Sequence, residues 1–300
     1  MELHQLRYFC AVARTSNFTR AAEQEHVAQP SLSQQILKLE DELGSRLFDR
    51  LGRKASLTQC GESFLLRAQR VLNEVTEARK EIQEMAGGNS GKIVLGTIPT
   101  IAPYFLPGRL SSFAKHYPAV QVSVVEEITS VLVARLHEGK IDLAVLALPV
   151  SGDELVSSEL MREPLYVVLP EKHRLAKKKA IELREIEDEP FLLLKDGHCF
   201  RDTAIAACRR TRIRPNVVFE SGHFSTILAM VATGMGVSIV PEMAIERRPG
   251  CRFLRINDER SVRRIGLVYL KNHFQTHVQR VLLHHLQRKA IHDGVAQFGK

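Results

Sequence analysis

The 300-residue chain has no run of about 18 apolar residues, so nothing in it is expected to span a membrane. Its first apolar stretch is broken by an arginine and a helical polar pattern before a secretory core develops, which implies a cytoplasmic location. The chemistry-bearing motifs of common enzymes are missing as well. There is no GxSxG, HExxH, CxxC or phosphate-cradling glycine loop, and Gly234-Met235-Gly236 lacks the third glycine of a dinucleotide fingerprint. These absences weigh against a hydrolase or other enzyme, and neither a metal nor an organic cofactor is expected. Cysteine is scarce at five residues. In a reducing compartment a pair of them is rarely a structural staple.

Cys199 and Cys208 nevertheless stand nine positions apart in LLLKDGHCFRDTAIAACRR. Phe191 to Leu194 reads as a short buried strand, Asp196-Gly197 as a turn, and Asp202 to Arg210 as a helix opening on an acidic residue. Cys199 would then lie just ahead of a helix N-terminus beside His198 and Arg201, surroundings that favour thiolate over thiol. Nine helical steps span roughly 13 Å and turn the side chains to about opposite faces, whereas a disulfide needs Cα atoms within about 7 Å. Bridging the pair requires the helix to melt and repack, as in a switch. The plainer alternative is that both are small buried hydrophobes beside a solvated arginine edge. Cys10, Cys60 and Cys251 have no partner at an informative spacing.

Charge is unevenly placed. Residues 1–90 carry twelve basic and twelve acidic side chains, and residues 91–300 carry thirty and twenty-two, so the whole net charge of +8 lies in the second part. Any nucleic-acid reading must therefore come from pattern. The pattern exists at the N-terminus: Leu3, Leu6, Phe9, Val12 and Ala13 at helical spacing, then a second helix start at Phe18-Thr19-Arg20-Ala21-Ala22. Gln29 and Pro30 follow, and Ser31 to Leu43 places Leu32, Ile36, Leu39 and Leu43 on one face. Two short helices joined by a tight turn make a helix-turn-helix, with Ser31, Ser33, Gln34 and Lys38 facing out toward base edges and phosphates. Arg46, Arg50, Arg53 and Lys54 follow on a loop, placed as a wing on backbone phosphates would be.

From Thr58 to Met85 the chain reads as one helix with Ala68, Val71, Val75, Ala78, Ile82 and Met85 in a seven-residue repeat, which favours a seam with a second copy. Gly87 to Gly91 breaks it. Strands near 92–98, 120–125, 141–148 and 165–169 then alternate with helices near 104–116 and 129–137. A second set has strands near 191–194, 217–220, 237–240 and 265–269 and helices near 202–210, 225–233 and 275–290. The reading is an α/β fold class: a mainly α winged helix-turn-helix over 1–58, a linker helix over 59–86, a hinge over 87–91 and a two-lobed α/β effector domain over 92–300.

FTRAAEQEHVAQPSLSQQILKLEDELGSRLFDR resembles the DNA-binding domain of LysR-type transcriptional regulators, and the remainder resembles their two-lobed, periplasmic-binding-protein-like effector domain. More narrowly, IPTIAPYFLP, GKIDLAVLAL, LLLKDGHCFRD and RRIGLVYL resemble the family's peroxide-sensing branch. The resemblance implies a regulator, an activator of oxidative-stress genes, that contacts double-stranded DNA through Thr19, Arg20, Gln29, Pro30, Ser31, Ser33, Gln34, Lys38, Arg50 and Arg53. It implies self-association as a dimer through the linker helix and as a tetramer, and contact with RNA polymerase. Cys199 would be the peroxidatic cysteine and Cys208 the resolving one, with Thr100, Thr129, His198, Asp202 and Arg263 around the hydrogen peroxide. Taken singly, the threonines and Asp202 read better as helix caps and His198 as a turn residue; together with Cys199 and Cys208 they do not. Two alternatives stay open: a regulator answering a small metabolite between the lobes, and a thiol peroxidase.

Overall fold

The computed structural model describes residues 1–51, 54–87, 90–246, 248–271 and 275–290. Contacts divide the chain into two units, the first built chiefly from residues 1–86 and the second from residue 87 onward. The first unit begins with α1 (Leu3–Thr15), α2 (Phe18–Gln24) and α3 (Gln29–Leu43), followed by β1 (Phe48–Leu51), β2 (Lys54–Leu57) and α4 (Gln59–Gly87). Phe9 and Val12 of α1 and Leu32, Ile36 and Leu39 of α3 are wholly buried against one another, the burial that the apolar spacing requires. Asn17 caps α2 by accepting the N–H groups of Thr19 and Arg20 at 2.9 and 3.0 Å.

The segment read as a wing loop is an antiparallel hairpin, with Phe48 opposite Leu57 and Leu51 opposite Lys54. Strands of four residues that carry charged side chains show too little alternation to be legible. Glu40 fastens this hairpin to α3: its buried carboxylate accepts the N–H groups of Leu47 and Phe48 at 2.7 and 3.1 Å. Gly61 lets α4 close onto the same corner, since a Cβ there would stand 2.1 Å from the Leu47 carbonyl oxygen. Along α4, Ala68 is buried in the helix-turn-helix core, while Val71 and Ile82 stay exposed on the apolar stripe.

The second unit contains β3 (Gly91–Thr97), α5 (Ala102–His116), β4 (Val120–Glu126), α6 (Thr129–His137) and β5 (Leu143–Leu148). It continues with β6 (Leu155–Pro170), β7 (Ala180–Ile181), β8 (Pro190–Leu194), α7 (Cys199–Arg210), β9 (Asn216–Ser221) and α8 (Phe224–Ala232), and ends with β10 (Ser238–Pro241), β11 (Cys251–Ile256), β12 (Val262–Leu270) and α9 (His277–Ala290). The main sheet runs β4-β3-β5-β12-β6-β11-β7 with β10 also on β6, and β8 and β9 form a separate parallel pair. Its apolar residues separate into two cores. One gathers β3, β4, β5, α5, α6 and α9, and the other gathers β8, α7, α8, β10 and the later part of β6. Leu160 and Met161 of β6 pack on the first core and Leu165 to Leu169 lie in the second, so this strand runs through both lobes. The sequence pattern showed only its apolar end, because residues 155–163 alternate with polar side chains on a partly solvated face.

Candidate redox centre

The buried strand β8 delivers the chain into the Asp196-Gly197 turn, where Gly197 takes φ 90°. His198 is the N-cap residue without a side-chain capping bond, and Cys199 is the first residue of α7. The expected start at Asp202 was therefore three residues late. An acidic residue marks the first turn as well as the cap, and Asp202 occupies that turn. Arg201 does not face the sulfur electrostatically as expected: it pairs with Asp196 at 2.7 Å and Glu220 at 2.5 Å and donates to the Leu194 carbonyl at 2.9 Å.

Both cysteines are free thiols, and α7 holds them in different cores. Cys199 is half-buried against the first lobe's core, whereas Cys208 is 1% exposed inside the second lobe's core. The separation follows from nine helical steps, about 13 Å of rise and nearly half a turn.

The Cys199 sulfur is flanked by Thr129, the first residue of α6, and by the charge of Arg263, both of which favour thiolate. The Thr129 hydroxyl is buried and has no other hydrogen-bonding partner among the described residues. Burial outweighs these influences and pushes the Cys199 thiol up, with Asp202 adding to the rise. This corrects the expectation of a lowered thiol: the helix start is present, but the sulfur also faces an apolar core. Burial likewise pushes Cys208 up to about 11. His198 is pushed down, first by burial and then by Lys195 and His223, which favours a neutral ring.

Arg263 on β12 is held from three sides. Its guanidinium pairs with Glu163 of β6 at 2.5 Å, donates to the Thr100 hydroxyl at 3.2 Å and to the Thr100 carbonyl at 3.4 Å, and lies 5.2 Å from the Phe200 ring centre. Both members of the ion pair are 1% exposed. Glu163 also accepts the Met243 N–H at 2.9 Å, and burial still pushes its carboxyl up. Of the expected residues, Cys199, Thr129, Arg263 and Thr100 thus form one connected group. Asp202 is exposed one turn along the helix, and His198 adjoins Cys199 in the chain without a hydrogen bond to its sulfur. Glu163 was missed, although a buried charge requires a partner, and Glu163 lies directly opposite Arg263 in the ladder.

In the first unit, Thr19, Arg20, Gln29, Pro30, Ser31, Gln34 and Lys38 are exposed on α2 and α3. Ser33 is half-buried and accepts a hydrogen bond from the exposed Gln29 side chain at 2.8 Å. Pro30 is the second residue of its helix, which begins at Gln29. Arg53 and the Arg50 side chain lie outside the described residues.

A helix-turn-helix with a hairpin wing, followed by a long helix and a two-lobed α/β unit, defines a DNA-binding regulator. The chain belongs to the LysR family: residues 3–62 match the lysR-family bacterial regulatory helix-turn-helix protein, and residues 86–290 match the LysR substrate binding domain. It is a transcriptional regulator and not an enzyme. The hydrogen peroxide-inducible genes activator of Escherichia coli O157:H7 is 34% identical over 272 residues, covering 90% of this chain and 89% of that protein. An uncharacterised regulator of Bacillus subtilis, YybE, is 35% identical over 274 residues, covering 91% and 94%. A full-length variant of OxyR from Pseudomonas aeruginosa superposes with a TM-score of 0.73 at 30% identity, covering 97% of this chain and 94% of that one. Among the described residues no helix is long and apolar enough to cross a membrane.

Two outcomes follow from this geometry. Replacing Arg263 by Met strands the Glu163 carboxylate in the interior and should cost about 3–5 kcal/mol of stability by denaturant unfolding. Adding Glu163→Gln should recover much of that loss, and a double variant no more stable than the single one would contradict the pairing. Because the Cys199 thiol is pushed up, its reactive thiolate is a minority at neutral pH. Its alkylation rate should climb about tenfold per pH unit between about pH 7 and pH 8.5, whereas a flat profile would mean the thiolate is already formed.

Proposed function

We propose that this regulator senses hydrogen peroxide through a reversible Cys199–Cys208 thiol–disulfide switch and controls oxidative-stress genes. The observation that carries the reading is the placement of the two thiols at the two ends of α7, one against each lobe's core. The Cys199 thiolate attacks one peroxide oxygen, the O–O bond breaks, Cys199 becomes a sulfenic acid and hydroxide departs to take up a proton. The Cys208 thiol then attacks the sulfenic sulfur, forming the disulfide and releasing water. Thr129 favours the thiolate against the opposing effect of burial, while Arg263 and Thr100 offer donors to the departing oxygen. His198 and Asp202 are close enough in the chain to shuttle its proton.

The second step demands that α7 unwind, which reshapes the lobe surface on which another effector unit would rest. The linker helix α4, with Val71 and Ile82 uncovered, joins two copies, and two such dimers form the tetramer. In this reading α3 enters the major groove, with Gln29, Pro30, Ser31 and Gln34 at base edges and Thr19, Arg20, Lys38, Arg50 and Arg53 at phosphates. The DNA target puts the protein in the cytoplasm and implies contact with RNA polymerase. The similarity to a peroxide-inducible activator supports the signal proposed here.

A second reading is an effector ligand between the lobes, favoured by the buried Thr97 hydroxyl, which lacks a partner among the described residues. The two readings separate in one experiment. Footprints on an operator isolated by selection should differ between the reduced and the peroxide-treated protein, and Cys199→Ser should keep the reduced footprint under both conditions. Identical footprints for the unaltered protein, or a shift that survives Cys199→Ser, would overturn the redox switch.

A further inference from the structure

The basic excess of residues 91–300 is not absorbed by the redox centre, and part of it converges on one pocket of the second lobe. Lys178 and Lys179, from the segment leading into β7, and Arg248 and Arg252, around the start of β11, line a cavity of about 620 Å³. Two stretches far apart in sequence meet there because β11 and β7 run parallel, with Arg255 opposite Ala180 and Ile256 opposite Ile181.

The charges in the pocket do not balance. Among the described residues Glu246 is the one carboxylate in the lining and is paired with Arg248 at 3.0 Å, while Lys178 is paired with Glu185. Lys179 and Arg252 are exposed and form no ion pair among the described residues. Ile245, Pro249 and Phe253 give the same cavity an apolar lining. Two uncompensated cations call for at least two negative groups, and arginine suits phosphate or carboxylate because its fork presents parallel donors. Apolar lining suits a ligand with a ring or hydrocarbon body, and a concave space suits a small molecule better than the convex backbone of a duplex.

We propose that this pocket binds a small organic polyanion, a molecule with two or more phosphate or carboxylate groups on an apolar body. The lining shares no residue with the redox centre, and the proposal stands whether or not the peroxide reading does. It gives the effector unit a place for a second, metabolic input.

Cys251 makes the proposal testable, because it lines the pocket and its thiol donates to the Leu228 carbonyl at 3.3 Å. Iodoacetamide labelling of the reduced full-length protein, read by peptide mass, compares Cys251 with the exposed Cys60 of the first unit. The pH is held fixed, since burial pushes the Cys251 thiol up. ATP without divalent metal, at about ten times its Kd, should slow Cys251 labelling by about tenfold, because only the unoccupied fraction reacts, and leave Cys60 unchanged. The double variant Lys179→Glu/Arg252→Glu changes only exposed side chains and should abolish that protection. Equal labelling with and without ATP and citrate would overturn the proposal, as would protection that persists in the double variant. Protection by a DNA duplex but not by either small anion would assign the surface to nucleic acid and overturn it too.

Discussion

One stiff helix between two hydrophobic cores governs how this molecule can respond. With Cys199 against one core and Cys208 within the other, α7 acts as a spacer: while it is intact its sulfurs cannot meet, because about 13 Å of helix lies between them. Forming a bond therefore requires removing Cys208 from the interior and giving up helical hydrogen bonds and the packing of Phe200, Ala204 and Ala207. The reduced state is held by ordinary packing, and the proposed oxidised state would have to be held by a covalent bond. Such a device has two states with little between them, since packed cores do not deform continuously. The far end of α7 is also tied down: Arg210 donates to the Arg260 carbonyl and to Ser261, both at 3.2 Å, in the turn that leads into β12. Unwinding α7 would disturb the entry to the strand that carries Arg263.

The electrostatics of the centre follow from the same placement. A sulfur packed on apolar residues is a poor thiolate, and the rise in its thiol shows that burial prevails over Thr129 and Arg263. Arg263 itself is half-spent, because Glu163 takes its strongest contact. What remains is one hydroxyl donor, the nearby charge of Arg263 and the start of a helix around one sulfur in a site of low polarity. Such preorganisation acts most strongly on charge that develops during reaction. In the proposed chemistry the resting thiol is protected by its neutrality, and the donors count most as the departing oxygen becomes anionic.

Much of this was legible in the residues, and the gaps have physical causes. The helix-turn-helix could be read because Leu32, Ile36 and Leu39 repeat at helical spacing and all three are wholly buried. The separation of the two thiols followed from helical arithmetic alone. Strand β6 was legible only at Leu165–Leu169, where both faces are covered, and the hairpin of the wing was too short and too charged to alternate. The direction of the Cys199 shift was misread because local cues, a helix start and nearby arginines, ignore tertiary burial. Arg201 was spent on Asp196 and Glu220, and the arginine that mattered, Arg263, stands 64 positions away. Glu163 escaped for a similar reason: which side a polar residue faces depends on neighbours that the local pattern does not name.

The most direct test of the central claim is peptide mass mapping of fully reduced protein after one brief exposure to micromolar hydrogen peroxide, with free thiols blocked at once. The account predicts a peptide pair cross-linked through Cys199 and Cys208, absent in Cys199→Ser, with Cys10, Cys60 and Cys251 still blocked as thiols. Cys199 and Cys208 both recovered as blocked thiols, or a disulfide that joins other cysteines first, would contradict it.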